Sequence, residues 1–76
     1  MTDTARLNAI IQESGLKLSY IANHLGLSAY GFARKRDNLS EFTQSEIDSL
    51  CDLLHIESIE DRFAIFFAKA VDAKST

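Results

Sequence analysis

The chain has 76 residues and a net charge of −3, with 46% hydrophobic residues, 25% charged residues, three glycines and no proline. That length leaves room for one domain with a simple core, since so short a chain buries only about 60% of its unfolded surface, and the near absence of helix breakers favours helices over a turn-rich β-sandwich. The lone Cys51 excludes an internal disulfide, no apolar run approaches the roughly 20 residues that span a bilayer, and Met1-Thr2-Asp3-Thr4 lacks the charged and apolar regions of a signal peptide, so a cytoplasmic protein with no membrane partner is expected.

Leu7, Ile10 and Ile11 recur at helical spacing and Gly15 follows as a natural left-handed stop, giving a first helix over about residues 4–14. Leu18, Ile21, Ala22 and Leu25 repeat the i, i+3, i+4, i+7 pattern, and Gly26 closes this second helix. Ser28 can accept hydrogen bonds from the free amides of the next turn, which predicts a third helix from there to about Asp37, with Asn38 as a residue tolerant of positive φ at the stop. Thr43-Gln44-Ser45-Glu46 is a capping box, with Phe42 placed to staple onto Ile47. Behind it Ile47, Leu50, Cys51 and Leu54 form the buried stripe of a fourth helix, and Cys51 reads as core.

Ser58-Ile59-Glu60-Asp61 is a weaker start of the same kind, and Ile59, Phe63, Phe66, Phe67 and Ala70 then fall on one helical face. Phe63, Ile65 and Phe67 also alternate, so a strand is the other reading of this segment. With no repeats, linkers or low-complexity stretches, the expectation is one all-α domain over residues 1–72, a compact bundle of about five short helices, with residues 73–76 as a frayed tail.

Two helices separated by about three residues cannot fold back antiparallel, so the second and third cross as a helix-turn-helix. Gly26 permits the turn, Ala22 allows close approach, Leu27 fills the corner and Phe32 anchors the third helix. At 100° per residue from Phe32, Tyr30 and Arg34 fall on the outer side, flanked by Gly31 and Lys35, and no acid intervenes before Asp37. A face with a phenol, a guanidinium and an ammonium suits a major groove. Charge is polarised in the same sense. Residues 1–39 carry five basic and three acidic side chains, a net of +2, whereas residues 40–76 carry three and eight, a net of −5. Only the face that meets a polyanion needs the favourable sign.

From Leu7 to Ile56 the chain resembles the Cro and phage-repressor type of helix-turn-helix DNA-binding proteins. The stretch GLKLSYIANHLGLSAYGFARKRDN looks like their second and third helices, with Ala22, Gly26 and Phe32 in register. EFTQSEIDSLCDLLHI followed by IFFA is similar to small regulators of Gram-positive phages and prophages. The resemblance implies a lambda-repressor-like DNA-binding domain that lays its third helix in the major groove of a near-palindromic site in double-stranded DNA. The contact residues it implies are Lys17, Ser19, Ser28, Ala29, Tyr30, Gly31, Arg34, Lys35 and Asn38. Lys17 stands where the family usually has a threonine cap and Leu18 where it often has glutamine, which leaves a phosphate contact to Lys17.

One recognition helix reads only a few base pairs, so a homodimer is expected. Its interface is placed on Phe63, Ile65, Phe66 and Phe67, because a helix this apolar around its circumference cannot bury every side. The rival reading is a protein-interaction module, an antirepressor or antitoxin, that uses the acidic half and the Phe-rich segment. Nothing points to an enzyme, a cofactor or a metal. His24 and His55 lie on different helices, no Cys or His pair has ligand spacing, no glycine-rich phosphate loop is present, and Glu57, Glu60 and Asp61 suit a helix start.

Overall fold

The computed structural model describes residues 1–69, so Ala70 and the tail over residues 73–76 lie outside the described residues. Within it the chain is all-helical: α1 Thr4–Ser14, α2 Leu18–His24, α3 Ala29–Arg36, α4 Gln44–Leu54 and α5 Ile59–Phe66. Residues 63–66 continue α5, so the strand reading is not realised.

Each helix but α2 begins at a side-chain cap. Asp3, Ser28, Thr43 and Ser58 accept from the backbone N–H groups of Arg6, Gly31, Glu46 and Asp61, and Thr43 and Glu46 complete the capping box. Those bonds satisfy amides that have no partner inside the helix. Three of the other ends, those of α2, α3 and α4, share one device. After α2, Leu27 N–H donates to the Ala22 carbonyl at 2.9 Å; after α3, Leu39 donates to Arg34 at 2.9 Å; after α4, Ile56 donates to Cys51 at 2.8 Å. Each such bond needs a left-handed residue just before its donor, and the three are Gly26 (φ +75°), Asn38 (φ +65°) and His55 (φ +59°).

Leu7, Ile11, Ile21, Ala22, Phe32, Ile47, Leu50, Cys51, Leu54, Ile56, Ile65 and Phe66 form one buried cluster. Phe42, expected to staple onto Ile47, also joins two helices. Its ring meets Phe32 edge-on at 6.2 Å and Phe66 at 5.7 Å, an arrangement that favours aromatic quadrupoles. Burial pushes the Cys51 thiol above its ordinary pKa, as expected of a packed sulfur among apolar side chains.

Three expectations about faces need correction. Leu18, assigned to the apolar stripe of α2, is exposed, and Ile10 is only partly buried at the edge of the core. In α5 the buried residues are Ile65 and Phe66, while Ile59, Phe63 and Phe67 are exposed. The rotation of α5 is fixed from outside the helix. Phe66 is drawn inward by Phe42, and the Ile65 carbonyl accepts from Asp3 N–H at 2.6 Å.

Candidate nucleic-acid interface

Four residues, Leu25 to Ser28, join α2 to α3, a connection short enough to make a helix-turn-helix. Phe32 is fully withdrawn from solvent beneath α3 and Ile21 and Ala22 are buried on α2, so the outer faces of both helices are free. Complete burial of a phenylalanine contributes about 1.5–3 kcal/mol, a substantial anchor for an eight-residue helix.

The outer face of α3 is a ridge of two side chains one helical turn apart. Tyr30 is 72% exposed, and the Arg34 guanidinium lies 5.9 Å from its ring centroid, within cation–π range. Arg34 Nη2 also donates to the Leu39 carbonyl at 3.1 Å, which spends one donor and holds the guanidinium against the helix end. Beside the ridge, Ala29 and the cap Ser28 are exposed, and Gly31 is half-buried with its N–H 2.9 Å from Ser28 Oγ. A Cβ at Gly31 would stand 3.2 Å from that same oxygen, so glycine there serves the cap. On α2, Lys17 and Ser19 are exposed, and Lys17 is the N-cap without a side-chain hydrogen bond.

Two expected contact residues are engaged elsewhere. Lys35 does not stand free on the ridge: its Nζ donates to Glu46 Oε1 at 2.6 Å, and the two side chains are 16% and 15% exposed. Burial alone would raise the Glu46 pKa, but hydrogen bonds from Lys35 and from the Thr43 backbone, with the ammonium's field, hold it below its ordinary value. Asn38 does supply the expected positive φ, yet its side chain is consumed by the N-terminal segment. Oδ1 accepts from Thr2 N–H at 2.8 Å and Nδ2 donates to the Thr2 carbonyl at 2.9 Å. Neither residue is presented to a groove in this arrangement, because each has a closer intramolecular partner.

Arg36, in the same last turn of α3, is held against the rest of the molecule. Its guanidinium covers the Phe32 ring at 5.1 Å and Nη1 donates to Asn8 Oδ1 at 2.8 Å, while Nε is buried with no hydrogen-bond partner. The Arg36 carbonyl accepts from the Thr4 hydroxyl. The C-terminal end of α3 is therefore tied to α1 through Asn8 and Thr4, to α4 through Glu46, and to the N-terminal segment through Thr2. Sequence reasoning missed Thr2, Asn8 and Glu46 in this role. Only Glu46 carried any local signal, its place in the capping box.

The expected interface on α5 divides. Ile65 and Phe66 belong to the core and cannot meet a partner, which corrects that assignment. Phe63 and Phe67 are 63% and 50% exposed, stacked at 5.6 Å, and Ile59, 83% exposed, extends them at i, i+4, i+8 into one apolar ridge.

Among the described residues, no group of three or more His, Cys, Asp or Glu side chains is placed to hold a metal ion, and no helix is long and apolar enough to cross a membrane. In comparison with known proteins, no family model, no curated protein and no solved structure matches this chain.

Proposed function

We propose that the chain is a sequence-specific DNA-binding regulator that lays α3 in the major groove of duplex DNA. The observation that carries this reading is the Tyr30–Arg34 ridge, an exposed phenol beside a half-buried guanidinium, on the second helix of a helix-turn-helix. A guanidinium held over a phenol presents a planar pair of donors, the group that pairs bidentately with guanine. Ser28 and Ala29 at the start of α3 and Lys17 and Ser19 at the start of α2 are also exposed, and Lys17 supplies a phosphate contact in this reading. Enrichment of bound sequences from a random duplex pool is the direct test. Arg34→Ala is expected to lose about 1–3 kcal/mol on the enriched site and less on random DNA, and Lys17→Ala to weaken both equally. A loss from Arg34→Ala that is equal on the enriched site and on random DNA would assign Arg34 to phosphate positioning.

The active species in this reading is a homodimer joined through the α5 ridge. Glu60 and Asp61 begin α5 and Lys69 lies beyond its end, so an antiparallel pairing of two copies brings unlike charges together and a parallel one brings like charges together. Beside the ridge a groove of about 290 Å³, lined by Phe42, Gln44, Ile47, Asp48, Arg62 and Phe67, is available to a partner's aromatic knob.

The same ridge supports a second reading, a module whose partner is a different protein such as a repressor or toxin. Salt-dependent binding to random DNA separates the two, since an interaction module lacks it.

A further inference from the structure

Glu46 stands at the junction of two elements. Its Oε1 accepts from Thr43 N–H at 2.9 Å, closing the α4 cap, and the same oxygen accepts from Lys35 Nζ at 2.6 Å. An exposed lysine–carboxylate pair contributes little, because water competes and two long side chains must be ordered. Here the carboxylate is already oriented by the cap, and both side chains are mostly withdrawn from water. Lys35 lies in the last turn of α3, and the next residue, Arg36, reaches the other way to Asn8 on α1. The end of α3 is thus held from two sides by contacts that a groove does not need.

Lys35 is also one of three cations in that turn, with Arg34 and Arg36. A cation that meets phosphate adds affinity for every sequence alike, whereas one that is paired inside the protein adds none. We infer that Glu46 is a positioning and specificity-determining residue of the DNA interface: it seats α3 against the α4 cap through Lys35 and withholds that ammonium from the phosphate backbone. This rests on the DNA-binding reading above.

Lys35→Met, Glu46→Gln and the double variant of the full chain test it through two readouts. Glutamine keeps the capping box and methionine keeps most of the lysine stem, so all three variants retain the local helix signals. In equilibrium unfolding, a closed pair makes the two single effects non-additive by at least about twofold in the unfolding constant, the lower end for residues in contact. Additive effects would overturn the seating role. On random duplex DNA, Lys35→Met is expected to leave the salt slope unchanged. Glu46→Gln, which frees the ammonium, should steepen it by about one unit, an extra loss of about threefold between 50 and 200 mM salt. A slope made shallower by about one unit in Lys35→Met would show Lys35 leaving Glu46 for phosphate, and would overturn the specificity role. If the unmodified chain binds no DNA in a salt-dependent way, the DNA reading fails and the specificity role with it, while the unfolding cycle still decides the seating of α3.

Discussion

Gly26 has φ +75°, and a Cβ built on it would meet nothing within 4 Å. The penalty for replacing it is therefore conformational and owes nothing to crowding. Gly26→Val places a β-branched residue in the left-handed region at a cost of about 1–3 kcal/mol, while Gly26→Asn should lose less because asparagine tolerates that region. Denaturant midpoints measure both, and an unchanged midpoint for the valine variant would contradict the turn described here. Glu46 makes a different kind of demand on the solvent. Its carboxyl is held below the ordinary value of 4.5, so in the acid range the unfolded chain binds the proton more readily than the folded one. The stabilisation is complete above about pH 4.5 and is lost as pH falls through the lower native value. Thermal midpoints measured from pH 6 down to pH 2.5 should fall on that limb, and Glu46→Gln should flatten it.

Among the helices, α2 alone begins without a side-chain cap, since Lys17 at that position has extended backbone geometry but no oxygen to offer. Lys17→Ser should supply one and add about 1 kcal/mol to stability. The same substitution removes a cation at the proposed interface, so DNA affinity should drop as the melting temperature rises, and a parallel fall in both would place Lys17 in the fold. Element boundaries were legible for the reason α2 is informative: caps and stops are local. Ser28, the Thr43–Glu46 box, Gly26 and Asn38 each act within a few residues of themselves, and each does what its type and spacing indicate. The face that α5 buries was not legible, because three phenylalanines and two isoleucines surround it and the choice is made by Phe42 and the Asp3 amide, far off in sequence. For the same reason, the ridge at Tyr30 and Arg34 could be placed by rotation from Phe32, but the capture of Lys35 by Glu46 and of Asn38 by Thr2 could not. Thr2, which makes both side-chain bonds to Asn38, lies 36 residues away.

At the scale of the molecule, a domain with a net charge of −3 would have a weak electrostatic grip on DNA, and two of the contacts expected for that role are already spent on internal partners. Doubling the interface is the economical remedy. Two copies joined through α5 would present two α3 helices to successive major grooves about 34–36 Å apart, so affinity for a near-palindromic site should far exceed that for a half-site. The exposed and buried residues of α5 make the dimer testable apart from the fold. Phe63→Ser with Phe67→Ser removes only exposed rings and should leave a folded monomer that binds a half-site weakly. Ile65→Ser, by contrast, opens a cavity and buries a hydroxyl in the core, at a cost of several kcal/mol, and should unfold much of the population rather than dissociate it. Sedimentation distinguishes these outcomes, because a folded monomer and an unfolded chain have nearly the same mass but differ strongly in frictional ratio. If the unmodified chain stays monomeric at tens of micromolar, both free and on its selected DNA, the ridge does not join two copies, and the single Tyr30–Arg34 face must then account for all of the recognition.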